Sequence, residues 1–372
     1  MKAVSCIPVA LLLLGCGGKT EVVPAPVPLS FIDSVGVEFG DSLYTFGAII
    51  GLEFLRDGSF AVLDRAAGSI RVYSAAGEFI RRISSPGNGP GETVQAFGML
   101  VFPDGGFGVM DPNQGGLMRF DSSGGYLGIE FEAFHNIPMG RVMVGDSGYV
   151  ASRTSVYEED GSAFIETFIG YFPLTWEPEY RYLSTVEGLD EETVGTFLMQ
   201  TMLQCPWAVD PVSGTVYAAP YHSGEFFIEV LPMDHSVQPS RITLDLPVIA
   251  KTRAEIEAER EYYAALFTVM EGGEPPYNKY CEPFPNHHPV RALAVDDAGR
   301  LWVLGTGTPG AHFYVFSGSG SLLSEYSLAG VPSDENLQFR VHGDRMLVYS
   351  EDPVDYQKIW LVEIPRGEGS AD

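Results

Sequence analysis

The chain has 372 residues, 45% of them apolar and 12% aromatic, with 43 glycines and 26 prolines. That is too hydrophobic for a disordered chain and long enough for one large core or two ordinary ones. Its 22 Lys and Arg face 49 Asp and Glu, a formal net charge of -27, which repels polyanions over most of the surface and excludes nucleic acid as a partner. With only 19% charged residues, so much glycine and proline predicts many short strands joined by turns.

Residues 1–15 have the three parts of an export signal: Lys2, an apolar stretch from Ile7 to Leu14, and small residues at the end. The stretch is too short to span a bilayer as a mature helix. Leu13-Leu14-Gly15-Cys16 looks like a bacterial lipobox, which makes Cys16 the lipidated first residue of the mature chain; the alternative is a plain signal peptide with a chance cysteine. Residues 16–30, with Pro24, Pro26 and Pro28, read as a flexible tether. The expected location is the bacterial cell envelope, lipid-anchored, on the periplasmic or cell-surface side. In that oxidising setting Cys205 and Cys281 are expected to form one disulfide.

An internal repeat sets the expected architecture. Leu55-Arg56-Asp57-Gly58-Ser59-Phe60-Ala61-Val62 recurs 47 positions on as Phe102-Pro103-Asp104-Gly105-Gly106-Phe107-Gly108-Val109. Tyr73 and Phe120 follow the turn glycines by 15 residues, and Gly77 and Gly124 come four residues later. Further copies begin at Asp297-Ala298-Gly299, Asp146-Ser147-Gly148, Val212-Ser213-Gly214 and Gly343-Asp344. The Asp-Gly and Ser-Gly pairs predict two-residue hairpin turns between alternating apolar strands. A four-stranded module of this kind cannot bury both faces alone, so six of them predict an all-β fold, a six-bladed β-propeller over 31–365 with a tail at 366–372. Leu29 to Phe39 is expected to add a strand to the last blade and close the ring.

With Gly87-Asn88-Gly89-Pro90-Gly91-Glu92 after its first module, the chain resembles six-bladed propellers of the NHL-like kind, especially a bacterial lipoprotein group carrying such a glycine-rich segment. The resemblance implies a fold and a location, and no activity. Other six-bladed propellers hold zinc and act as lyases, or hold calcium and open lactones; this chain has neither motif set.

The connection from the outer strand of one blade to the next lies on the same face as the loop between second and third strands. That rule puts Ser84 to Gly98, Trp176 to Gln204 and Leu246 to Val290 together as insertions on one face, where binding surfaces of repeat proteins concentrate. Thr252-Arg253-Ala254-Glu255 fits a helix capping box, and Asp190 fits a second helix start. His135, His222, His287, His288 and His312 are expected in loops of this face, as possible ligands for a divalent metal, calcium or zinc, or as hydrogen-bonded surface residues. Asp64 and Asp111 recur at one blade position and are expected to bind loop backbone rather than calcium. Trp176, Tyr180, Tyr182, Tyr262, Tyr263, Tyr277, Tyr280 and Phe284 suit either partner contact or packing.

The leading expectation is a monomeric, membrane-anchored, non-catalytic binding or scaffolding module with an envelope protein or glycan as partner. The alternative is a metal-dependent hydrolase or lyase, lactonase-like or lyase-like, acting at the channel mouth.

Overall fold

The computed structural model describes residues 25–133, 139–188, 205–221, 226–261, 283–306, 310–332, 336–351 and 353–365. Six antiparallel sheets make the blades. Blade one is Ile49–Phe54, Phe60–Asp64, Ser69–Tyr73 and Phe79–Ile83. Blade two is Met99–Val101, Phe107–Asp111, Gly116–Phe120 and Tyr126–Glu132. Blade three is Met139–Val144, Gly148–Glu159, Ser162–Phe172 and Tyr180–Gly188. Blade four is Trp207–Val209, Val216–Ala218, Phe227–Leu231 and Ser240–Thr243. Blade five is Val290–Val295, Leu301–Gly305, Ala311–Phe316 and Leu322–Leu328.

Blade six takes Leu337–His342, Arg345–Ser350 and Ile359–Glu363 from the end of the chain and its outer strand, Ser30–Val35, from the beginning. The expected ring closure is therefore formed. Pairing begins earlier than residue 31, because Val27–Pro28 already lies parallel to the outer strand of blade five. Closure removes what would otherwise be an open edge on the third strand of blade six.

The first strands of neighbouring blades touch broadly at every seam but that of blades three and four, and among the described residues six apolar clusters fill the gaps between blades. The cluster between blades six and one, for example, joins Leu347, Tyr349, Ile359 and Leu361 to Ile49, Leu52, Phe60 and Val62. Middle strands such as Phe60–Asp64 and Ser69–Tyr73 are buried along their whole length, since each sheet packs a neighbour on both faces. At the closing seam, Arg340 Nε donates to Glu53 Oε1 at 2.9 Å across the two first strands. Burial opposes the Arg340 charge most strongly, but Glu53 together with Tyr349 and Glu351 outweighs it and holds the pKa above the ordinary value.

The turns correct one expectation. In the Asp57-Gly58 hairpin Gly58 N donates to Leu55 O, and Leu55 N to Ser59 O; the Asp104-Gly105 hairpin repeats this with Phe102 and Gly106. These are three-residue loops in which only the glycine is left-handed, with φ of 80° at Gly58 and 81° at Gly105. The preceding aspartate instead accepts the amide two residues on, Asp57 from Ser59 and Asp104 from Gly106. A two-residue turn does occur at Asp160-Gly161, where Glu159 pairs with Ser162 and both turn residues have positive φ.

Candidate functional site

The strand order gives the ring two faces. Connections between first and second strands, and between third and outer strands, form the hairpin face. The other connections, including the one at 84–98 and the described parts of the one at 244–289, form the insertion face.

Long-range clamps hold the insertion face. Asp64 is buried at the end of its strand and accepts the amides of Gly47, Ala48 and Ala66 at 3.0–3.1 Å. It also pairs with buried Arg71 at 3.3 Å. Asp111 accepts Val94 N at 2.7 Å, Gln95 N at 2.8 Å and Asn113 N at 3.0 Å. Both aspartates thus pin the segment entering their own blade, as expected of the backbone-binding role. In the glycine-rich segment Gly89 N donates to Glu92 Oε2 at 2.7 Å. A Cβ at Gly87 would overlap the same oxygen and force the Glu92 carboxylate out of the turn, and the backbone there has a φ of 155°, which favours glycine.

The 244–289 insertion has a closed base. Ala250 bridges Asn286, Lys251 N donates to Pro285 O, and His287 N donates to Ile249 O. A helix then starts at 253 and is described to 261. Its capping box forms as expected: Thr252 N donates to Glu255 Oε2 at 2.6 Å and Glu255 N to Thr252 Oγ1 at 3.2 Å. Bonding from Thr252 holds the Glu255 pKa below the ordinary range, with His287 adding to it. His287 Nε2 lies 3.3 Å from Glu255 Oε1, and Lys251 Nζ 2.5 Å from Glu259 Oε2, so helix and base are tied together.

His288 is a clasp between blades. Val290 N donates to its Nδ1 at 3.0 Å, which leaves Nε2 as the donor toward Ala219 O at 2.9 Å. Beside it Tyr221 stacks on Phe284, ring centroids 3.7 Å apart, and meets the His288 ring edge-to-face at 5.9 Å. Tyr221 and Phe284 are half-buried, and burial raises the Tyr221 pKa. These residues form an aromatic ledge at the entry to blade five.

Other expected residues sit elsewhere. His312 is inside the third strand of blade five, not a loop; its Nε2 lies 3.0 Å from Glu325 Oε2 and its ring stacks on Tyr314. Trp176 is on the hairpin face, because residues 180–188 form the outer strand of blade three rather than an insertion. Its carbonyl accepts Arg153 Nη1 at 2.7 Å, and its ring packs on the cluster between blades two and three. Tyr182 is buried, with its hydroxyl donating to Gly214 O at 2.8 Å, and Tyr180 packs on it. These rings serve blade packing. Among the described residues Cys205 has no sulfur partner and is half-buried, with burial pushing its pKa up to about 12; its expected pairing with Cys281 involves a residue outside that set. Cys16, His135, His222, Tyr262, Tyr263, Tyr277, Tyr280, Cys281 and the helix start at Asp190 lie outside the described residues.

Among the described residues no three His, Cys, Asp or Glu side chains meet in an arrangement fit to hold a metal ion. A hairpin-face hollow of about 450 Å³, marked by no motif, is lined by Arg56, Asp104, Arg119, Glu130 and Asp146 among others. Its floor is Arg119, lying over the Phe102 ring and paired with Asp104 at 2.5 Å.

No protein-family model matches this chain, and no curated protein matches it. Among solved structures it is similar to a protein described as exported, from Bacteroides fragilis NCTC 9343, at 11% identity and a TM-score of 0.48, with 93% of this chain and 98% of that chain covered. It is also similar to a gluconolactonase from Xanthomonas campestris, at 13% identity and a TM-score of 0.47, with 92% of this chain and 99% of that chain covered. A streptogramin B lyase is similar at 10% identity and a TM-score of 0.46, with 90% and 97% covered. The activities belong to those proteins; the propeller assignment of this chain rests on its own six sheets.

Proposed function

We propose that this chain is an exported propeller, tethered to the bacterial envelope through lipid on Cys16, and that it acts as a non-catalytic binding or scaffolding module. The resemblance to NHL-like lipoproteins supports this reading, as does the export signal. The partner is an envelope protein or glycan, and the contact surface is the insertion face. The single observation that carries this reading is how the chemically capable groups of that face are engaged. Asp64, Asp111, His287 and His288 all hold loops or a helix in place, which makes a rigid surface around the Tyr221–Phe284 ledge. Rigid aromatic rings bury large area at low entropic cost, the property of binding hot spots.

The test replaces both rings, Tyr221→Ala with Phe284→Ala, and measures the melting curve and the affinity for partners captured from envelope extract. The fold is expected to persist while affinity falls by about tenfold or more. Unchanged affinity in a folded double variant would remove the ledge from the contact surface.

A further inference from the structure

The first paired segment has a fixed direction along blade five. Val27–Pro28 runs parallel to the outer strand of blade five, with Val27 beside Tyr326 and Pro28 beside Ser327. That strand, Leu322–Leu328, leaves the 317–321 turn on the hairpin face and runs toward the insertion face. Val27–Pro28 therefore runs away from the hairpin-face end of blade five. Ser30–Val35 starts from the same end of blade six, since Ser30 pairs with Glu363 at the finish of its strand. Leu29 fixes the crossing between the blades: its side chain is buried in their shared cluster and its amide donates to Ser327 O at 2.8 Å.

Exposed apolar side chains lie at the hairpin-face starts of both outer strands, Leu322 at 50% and Leu323 at 54% in blade five and Phe31 at 41% and Ile32 at 43% in blade six, with Val27 beside Tyr326 farther toward the insertion face. Cys16 precedes Val27 by only 11 residues. A chain of that length reaches at most about 40 Å. A lipid on Cys16 would hold this edge close to the bilayer.

We infer that the hairpin-face end of the outer edge of blades five and six rests on the lipid bilayer, leaving the insertion face directed away from it. The inference rests on the lipidation proposed above. The occupant is a zwitterionic lipid surface: a net charge of -27 and the exposed carboxylates of Asp33 and Glu363 at this edge disfavour an anionic one. Contact is through apolar side chains at the headgroup boundary, as exposed apolar patches beside a membrane anchor allow.

The experiment uses the full lipidated chain, purified from membranes and reconstituted on phosphatidylcholine vesicles that contain nitroxide-labelled lipid. A fluorescent amino acid is placed either at Leu323 or at Val248, which is exposed on the insertion face. Flotation with the vesicles is expected for the native chain and not for Cys16→Ala. The probe at 323 is expected to be quenched several-fold more strongly than the probe at 248. Leu322→Ser should weaken quenching at 323 without changing flotation. A native chain that does not float fails the anchor reading, and the orientation with it. A chain that floats but shows equal or stronger quenching at 248 overturns the orientation alone, and quenching indifferent to Leu322→Ser overturns the apolar contact.

Discussion

The two faces of the ring are built by different means. On the hairpin face several turns are closed from within: Asp57, Asp104 and Asp121 each accept an amide two residues ahead, while Gly145 N and Gly343 N reach turns of neighbouring blades. On the insertion face the bonds join residues far apart in sequence. Asp64 reaches Gly47, Asp111 reaches Val94, and His288 reaches Ala219 across a sequence separation of 69. A face assembled from local turns is present once each hairpin forms. A face assembled from such clamps needs whole blades, and at His288 a pair of neighbouring blades, so its rigidity reports on tertiary packing rather than on single hairpins.

Breaking the closure should have the largest effect. Deleting residues 27–35 leaves the Ile359–Glu363 strand as a bare edge and uncovers the cluster containing Leu29. Loss of a cooperative melting transition is expected, with aggregation visible by size-exclusion chromatography.

The next comparison sets a clamp against a turn. Asp64→Ala removes the acceptor for several loop amides and leaves buried Arg71 without its partner carboxylate, which should cost about 3–5 kcal/mol. Asp121→Ala, in an exposed turn, should shift the melting temperature far less. Equal effects in chemical denaturation would dissolve the distinction between the faces.

Acid should loosen the turns. Bonds from Ser59 and Ser123 hold the Asp57 and Asp121 pKa values below the ordinary carboxylate value, and Arg119 does so for Asp104. Because these folded values are lowered, the turn bonds are fully in place above about pH 3.9. They are lost as pH falls through the lowered values. Amide exchange at Ser59, Gly106 and Ser123 is expected to rise, relative to its intrinsic rate, as pH drops below that point, and constant protection would contradict it.

Legibility in the sequence follows the same division. The turn glycines, the capping box at Thr252 and Glu255, and the closing strand all depend on near neighbours or on a repeat, and they can be read directly. The position of Trp176 cannot be read from the repeat alone, because the strands Gly148–Glu159 and Ser162–Phe172 are much longer than their counterparts in other blades. A signal was available: Asp160-Gly161 is the strongest short hairpin pair in that stretch, and pairing strands around it puts Trp176 after the third strand and on the hairpin face. The backbone-binding role of Asp64 was legible from its recurrence at the place of Asp111, but that of His288 had no such pointer: its partner Ala219 is brought close by the stacking of blades four and five, and no local spacing encodes it.

The central claim is that the clamped insertion face, rather than the hairpin face, meets the partner. Its most direct test places a photo-crosslinking amino acid either at Glu257, exposed on the inserted helix, or at Val212, exposed on the hairpin face, in intact cells. A discrete adduct from position 257 and none from 212 is the result this account predicts; an adduct from 212 without one from 257 would contradict it.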